Sequence, residues 1–437
     1  MRRTSYRGPG RASRHYGPGS GSRGAPPLAG VGTALVRLGV AVVVLAVLAG
    51  IFVAVQLLRG EPSAQASVVL PASSVVPGSP PSMPWPALGA ADVEIEGIAN
   101  LGGVNVGEVR PLASVTKLLT ALVMLKDHPL SVGQQGPSLT VSAAEAAAYP
   151  GELAKFESLV PVQAGEQLTE LQALEAMLVP SADNVADIVA AWDAGSVPAF
   201  VAKLNAEAAA LHLDHTHLAD ASGLDPNSEG TAADMVRLAG YVMANPVLRQ
   251  VVAMPQVTLP VAGTVYNYDS VLGKDGIVGI KTGSTVQAGG NFVFAAQRNV
   301  GGRQVTVLGA VLGATGTQPL ASALTDARAL ASAAFGQLKE VTVLPAGRTV
   351  VRVTSPWGAS TTATTTQAVS FLTVPGQAVQ LGVQRLAAID GPALHQLPAG
   401  RRVAVVTVRV GTQSATVPAA TVGAVSAPSL SYRLSRL

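Results

Sequence analysis

A chain of 437 residues is too long for a single hydrophobic core, so its length predicts more than one domain. It contains no cysteine, which excludes a disulfide scaffold, a thiol nucleophile and a zinc-thiolate site. The net charge of +3 is misleading, because seven of the 29 basic residues are arginines within residues 1–37, where no acidic residue occurs. The rest of the chain has more acidic than basic residues, and nothing in it predicts nucleic-acid binding.

The N-terminal region has the pattern of a membrane anchor. Residues 1–37 are basic and rich in Gly, Ser and Pro, which predicts a disordered tail. Residues 38–58 form an uncharged apolar run that is long enough to cross the roughly 30 Å of bilayer hydrocarbon. Because the arginines precede this run, the positive-inside rule predicts a single-pass protein of the cell membrane with a cytoplasmic N-terminus and an extracytoplasmic remainder.

A cleaved export signal is the competing interpretation, since Ala64-Gln65-Ala66 has the small residues of a cleavage site. The apolar run is longer than the roughly 7–15 residues usual in signal peptides. The length therefore favours an uncleaved anchor.

The anchor is followed by a linker and then by a mixed α and β pattern. Residues 59–90, rich in Pro, Ser and Ala, predict a semi-extended spacer. Residues 91–340 predict a domain in which helical periodicity alternates with short apolar runs. Its predicted elements are a hairpin at 93–109, helices at 140–148, 168–178, 187–192, 196–211, 231–243 and 320–338, and strands at 276–282, 292–297 and 304–312.

The texture changes at about Val341, where helix-length patterns stop and strand-like runs recur between turns. Residues 341–437 therefore predict a separate β-rich domain without an evident catalytic constellation. His395 is its only histidine and is more typical of a surface residue than of a metal ligand.

The chemistry concentrates around Ser114 and Lys117, which lie three residues apart at the start of an apolar helix. One helical turn brings the two side chains to the same face, so a lysine amine can reach the hydroxyl and serve as its base. Taken alone, the spacing is more typical of a helix-capping serine followed by an exposed lysine.

Two further motifs favour the catalytic interpretation. Ser181-Ala182-Asp183 and Lys281-Thr282-Gly283 follow in the order known for penicillin-binding proteins and serine β-lactamases. With these residues the chain resembles the serine penicillin-binding proteins, and most closely their D-alanyl-D-alanine carboxypeptidases of low molecular mass. Similar segments extend the resemblance over about residues 90–338, and they are Val162–Leu168, Leu178–Ser181, Ala221–Asp225, Gly279–Gly283 and Ala288-Gly289.

The resemblance implies an α+β fold, with a five-stranded antiparallel sheet flanked by helices and a small C-terminal all-β domain. It implies that Ser114 attacks the carbonyl between two D-alanines of a peptidoglycan stem peptide while Lys117 accepts its proton. It also implies that the backbone N–H groups of Ser114 and Ser284 form the oxyanion hole, and that Ser181 relays a proton to the leaving amine.

On the same resemblance, Lys281, Thr282, Gly283 and Asp183 line the substrate site, and β-lactams are covalent inhibitors. No cofactor and no metal are expected. An arginine that many relatives carry before the last helix is missing from residues 313–320, which leaves carboxylate binding to Lys281 and Thr282.

Asp183 departs from the family, whose middle motif is Ser-x-Asn. A carboxylate only accepts hydrogen bonds, whereas an amide also donates. Three arrangements are open. Asp183 faces the cleft and brings a negative charge to the substrate, it pairs with Lys117 and makes that lysine a worse base for Ser114, or a local shift lets Asn184 take the place of the amide.

Two alternative functions remain, together with one alternative site. A serine β-lactamase shares the fold, but the Glu-x-x-Leu-Asn pattern of one large group of these enzymes is not found. A catalytically impaired peptidoglycan-binding scaffold is favoured by Asp183 alone. His212, His215 and His217 suggest a metal site, but their spacing across the end of a helix is not that of a tight ligand set.

Overall fold

The computed structural model describes residues 29–155, 157–390 and 394–436. These residues form two compact units. One contains the described residues up to Ser63 together with those from Ala427 onward, and the other runs from Ala64 to Ser426. Most of the predicted N-terminal tail lies outside the described residues.

Several helices begin directly after a residue whose side chain caps the helix N-terminus. The Thr231 hydroxyl accepts a hydrogen bond from the Asp234 N–H, as predicted, and Ser142 and Thr169 each form a capping box. The helices are α1 Ala29–Leu58, α2 Lys117–Asp127, α3 Ala143–Leu153, α4 Glu170–Leu178, α5 Asp183–Ala194, α6 Val197–Ala210, α7 Ala232–Ala244, α8 Pro246–Val251, α9 Pro319–Gln337, α10 Ala387–Asp390 and α11 Leu430–Ser435.

The strands all pair in antiparallel fashion. They are β1 Gln65–Val68, β2 Ser73–Val75, β3 Ala90–Ile95, β4 Ala99–Val104, β5 Arg110–Pro111, β6 Ser138–Thr140, β7 Gln167–Thr169, β8 Glu229–Gly230, β9 Gln256–Leu259, β10 Gly263–Tyr266, β11 Ile277–Thr285, β12 Gly289–Val300, β13 Arg303–Ala314, β14 Lys339–Leu344, β15 Thr349–Thr354, β16 Ser360–Thr365, β17 Val369–Thr373, β18 Ala378–Arg385, β19 Arg402–Val410 and β20 Gln413–Thr421.

The first unit is built on the apolar helix α1, which begins at Ala29 and not at Leu38 as predicted. The extension follows from its composition, because Arg37 is the single charge within residues 29–37. Residues 32–58 are long and apolar enough to cross a membrane, with a mean hydropathy of 3.0 over their most apolar 18-residue window, a property that N-terminal signal sequences share. At the C-terminal end of α1, Arg433 forms an ion pair with Glu61 over 3.2 Å.

A five-stranded antiparallel sheet forms the centre of the second unit, in the order β11-β12-β13-β3-β4. The predicted fold class is thereby confirmed. Alternate residues of β12 point to opposite faces, so Phe292 and Phe294 pack toward α9 while Val293 and Ala295 join the core beneath the other helices. The edge strand β11 contacts the short 3₁₀ turn Ala113–Thr116 that precedes α2.

The C-terminal β-rich region has its own apolar core and a seven-stranded sheet in the order β1-β15-β16-β20-β19-β18-β2. Its two edge strands, β1 and β2, lie within residues 59–90, which were predicted to form a semi-extended spacer. Ala64, at the start of that segment, is buried, and its N–H donates to the Leu394 carbonyl over 2.8 Å. Residues 64–76 therefore belong to this sheet, because the edges of β15 and β18 supply the backbone partners that local composition does not reveal.

Candidate active site

Ser114 lies in a strained turn that is held by close backbone packing. Ala113, directly before it, has a φ of +48°, which places this residue in the left-handed region. Gly223 packs against the turn so tightly that an added Cβ would lie 1.8 Å from the Ala113 carbonyl oxygen. The turn therefore accepts only glycine at 223, and it leads directly into α2, whose first residue is Lys117.

Lys117 is completely buried and contacts three oxygen atoms. Its Nζ lies 2.8 Å from Ser114 Oγ, 2.5 Å from Asp183 Oδ1 and 2.8 Å from the Ser222 carbonyl oxygen. A neutral amine has two hydrogens and one lone pair, so it can donate to Asp183 and Ser222 while it accepts the proton of the serine hydroxyl. This arrangement is what a general base for Ser114 needs.

A second buried pair lies beside the first. Lys281 on β11 donates to Ser181 Oγ over 2.9 Å and to the Thr282 carbonyl over 3.1 Å. Burial lowers the pKa of Lys281 well below its usual value, and the nearby positive charge of Lys117 lowers it further. Ser181 lies between α4 and α5 with a φ of +63°. Like Ala113, this residue has a strained backbone conformation, which sets the direction of its hydroxyl.

The contacts of Asp183 fit the arrangement in which this residue pairs with Lys117. Its Oδ1 contacts Lys117, and its Oδ2 accepts a hydrogen bond from the Ser158 N–H over 2.9 Å. The Asn184 side chain points elsewhere, since its amide bonds the backbone of Val160 through both of its polar atoms. Asp183 is thus the partner of Lys117, and Asn184 does not take the place of the family's amide.

Two cavities that share lining residues flank Ser114. A cavity of about 200 Å³ is lined by residues of the β11 edge together with Ser181 and Tyr268, and one of about 340 Å³ extends past Asp183 toward Leu224 and Val286. Ser114 and Ser284 line both of them. An added Cβ at Gly283 would lie 3.1 Å from the Ser114 nitrogen, so the strand and the nucleophile turn are in direct contact.

Several residues that the sequence did not single out hold this geometry. Asp220 accepts hydrogen bonds from the backbone N–H groups of Gly223, Leu224 and Asp225 and thereby shapes the loop whose Ser222 carbonyl faces Lys117. Ser158 bonds Asp183 through its backbone N–H and carbonyl, and no sequence motif predicts such contacts. Asn291 forms hydrogen bonds with backbone groups that are distant in sequence. Its one connection to the sequence motifs is that it lies two residues after Ala288-Gly289.

The three histidines are not gathered around a common centre in the structure. Among the described residues, no group of three or more His, Asp or Glu side chains is placed to hold a metal ion. The backbone N–H of His215 donates to the Asp234 carboxylate, and His217 pairs with Glu229 through the main chain. These residues shape the segment before α7.

The fold and the paired serine–lysine contacts are those of serine peptidases of the penicillin-binding-protein class. Comparison with known proteins is more specific. A sequence model described as D-alanyl-D-alanine carboxypeptidase matches residues 100–316. The D-alanyl-D-alanine carboxypeptidase DacB2 of Mycobacterium tuberculosis is 33% identical over 246 residues, which is 55% of this chain and 78% of the relative. The chain therefore belongs to the D-alanyl-D-alanine carboxypeptidase family of serine peptidases.

Solved structures agree with this assignment. The Streptomyces K15 DD-transpeptidase is 26% identical and superposes with a TM-score of 0.51, covering 58% of this chain and 99% of its own. The D-alanyl-D-alanine carboxypeptidase DacD of Francisella tularensis covers 81% of this chain with a TM-score of 0.55. At 19% identity, this second likeness shows the fold alone.

Proposed function

We propose that this protein removes the terminal D-alanine from peptidoglycan stem peptides through an acyl-enzyme on Ser114. The observation that carries the proposal is the 2.8 Å contact between Ser114 Oγ and the buried Lys117 Nζ, because a serine without an adjacent base is a poor nucleophile. Family membership supplies the reaction class, and the contacts around Ser114 supply the residues.

In the first step, Ser114 Oγ attacks the carbonyl carbon of the penultimate D-alanine while its proton passes to Lys117. The negative charge that develops on the carbonyl oxygen is stabilised by the N–H groups of Ser114 and Ser284. The proton held by Lys117 is relayed through the Ser181 hydroxyl, which is hydrogen-bonded to Lys281, to the departing nitrogen, so that D-alanine leaves as a neutral amine and an ester remains on Ser114. Water then attacks the ester and releases the shortened peptide.

The substrate's terminal carboxylate binds on the side of the Ser181 hydroxyl. Thr282 and Gly283 line the cavity there, and Lys281 donates a hydrogen bond to the Ser181 hydroxyl beside them. The exposed edge of β11 allows the peptide to pair as an added strand. β-Lactams carry a carbonyl and a carboxylate at a similar spacing and acylate Ser114 in the same way.

Asp183 makes this a working but altered site. Its carboxylate places a negative charge 2.5 Å from Lys117 Nζ, where the family has a neutral amide, and acylation is therefore slower than with an amide at this position. A non-catalytic scaffold function is favoured only by this ion pair. Against a scaffold function, Ser114 is in contact with Lys117, and Lys281 is in contact with Ser181, as the reaction requires.

The protein is anchored by α1 with the N-terminus in the cytoplasm and the folded unit outside. The excess of arginines before the apolar run supports this orientation. The structure of the β-rich region supports an uncleaved anchor, because cleavage at Ala64-Gln65-Ala66 would cut strand β1 and remove the buried Ala64.

The experiment is to incubate the protein with a pentapeptide that ends in D-Ala-D-Ala and to assay the released D-alanine, with Ser114→Ala as the control. We expect release by the native protein and none by the variant. Peptide binding without release would support the scaffold instead. Hydrolysis of a chromogenic β-lactam at many turnovers per second would support a β-lactamase.

A further inference from the structure

The side chain of Asn291 is completely buried in strand β12, next to the edge strand β11. Its Nδ2 donates to the carbonyl oxygens of Pro111 and Leu112, both over 2.9 Å, and its Oδ1 accepts from the Gly313 N–H over 2.8 Å. Both amide hydrogens and one acceptor position are therefore satisfied by backbone groups. All three groups lie more than twenty residues away in sequence.

Asn291 lies between the two segments that carry the proposed oxyanion-hole donors, the N–H groups of Ser114 and Ser284. Pro111 and Leu112 directly precede the strained Ala113 and the nucleophile Ser114. Across the β11–β12 pairing, Asn291 is opposite Gly283, the residue before Ser284. One side chain thus ties the turn that carries the Ser114 N–H to the strand pair that carries the Ser284 N–H.

We propose that Asn291 is a positioning residue that sets the relative orientation of the Ser114 and Ser284 N–H groups for the acylation step. The inference rests on the proposed acyl-enzyme function. Asn291 has no contact with Ser114 Oγ or with the Lys117 amine among its described hydrogen bonds, so it acts through the backbone. A displacement of the oxyanion hole by as little as 1 Å can lower a rate about 100-fold.

An asparagine that only stabilises the fold should not affect acylation when it is replaced. The chain contains such a residue as a matched control. Asn205 in α6 also donates from Nδ2 to two carbonyls, those of Val201 and Leu218, and also accepts one backbone N–H, that of Leu218. Its three bonds resemble those of Asn291 in number and type, but they lie outside the residues that line the cavities beside Ser114.

The test measures acylation of the full chain in detergent by a fluorescent penicillin, resolved into the dissociation constant of the initial complex and the acylation rate constant. For Asn291→Ala we expect the rate constant to fall about 100-fold while the dissociation constant changes less than about threefold. For Asn205→Ala we expect both constants to stay within about threefold of the native protein, whatever the change in melting temperature.

A second variant keeps the inference testable if Asn291→Ala does not fold. In Asn291→Asp, the carboxyl can donate one of the two lost hydrogen bonds only when it is protonated. We therefore expect the ratio of its acylation rate to that of the native protein to rise as the pH falls from 8 to 5.5.

A flat ratio, an Asn291→Ala variant that is folded and acylates at the native rate, or an equal loss in Asn205→Ala would each overturn the inference. These results are distinct from failure of the proposed function, in which the native protein itself would not acylate.

Discussion

The substitution Asp183→Asn restores the family's amide and removes one charge from the buried pair with Lys117. The carboxylate now accepts from Lys117 over 2.5 Å and from the Ser158 N–H over 2.9 Å. An amide has a single oxygen, so it can keep only one of these two contacts. The change therefore weakens the hold on the charged lysine and also removes a hydrogen bond from the folded state.

Two unit charges about 4 Å apart attract each other by about 4 kcal/mol at an effective dielectric constant of 20. Desolvation of the buried pair offsets most of this attraction. We expect the loss of this attraction to accelerate acylation about tenfold, which corresponds to about 1.4 kcal/mol. Removing one partner of a buried ion pair also destabilises the fold, by about 3–5 kcal/mol.

The assay is acylation by a labelled penicillin, measured beside thermal unfolding at pH 7. Faster acylation together with a lower melting temperature is the expected signature. Asp193→Asn is the control, since Asp193 is also buried and forms an ion pair with Lys203, outside the cavities that flank Ser114. It is expected to lower the melting temperature without changing acylation. If Asp183→Asn does not accelerate acylation, the account of Asp183 is refuted.

Three further substitutions probe other parts of the structure. Gly223→Ala should lower the acylation rate at least about 100-fold, measured with the same penicillin, because its Cβ would collide with the Ala113 carbonyl; a native rate would contradict the role of this close packing. Burial raises the pKa of Glu170 to about 7, and both of its carboxyl oxygens lack a hydrogen-bond partner, so folding holds its proton and stability falls as the pH rises from about 4.5 through 7. Glu170→Met should therefore raise the melting temperature more at pH 8 than at pH 5, and equal shifts would contradict this. Because the pKa of Lys281 is lowered in the folded state, the unfolded chain binds more protons, and this residue makes stability rise with pH up to about 10.5. Lys281→Met should therefore make the melting temperature depend less on pH between 7 and 9, and an unchanged slope would count against this.

The sequence predicted the parts of the fold that local periodicity encodes. The helical patterns that became α6, α7 and α9, and the alternation that became β12 and β13, are confirmed because apolar residues recur at one spacing over many positions. The edge strands β1 and β2 were missed, because Pro- and Ser-rich segments form strands only where a distant strand offers hydrogen bonds.

The site could be predicted only where residue type and spacing carry the chemistry. Ser114 and Lys117 are one turn apart, so their contact follows from helix geometry. The orientation of Asp183 depends on the backbone of Ser158, and the role of Asn291 depends on carbonyls about 180 residues away. Neither relation leaves a trace in local sequence, because each is a hydrogen bond to a main-chain group that every residue carries.

The most direct measurement is the mass of the native protein and of its Ser114-containing peptide after brief exposure to a penicillin and rapid quenching. We expect one added penicilloyl group, located on Ser114, and no adduct in Lys117→Met within the same time. An adduct on any other residue, or native protein that stays unmodified, would contradict the assignment of Ser114 as the nucleophile and Lys117 as its base.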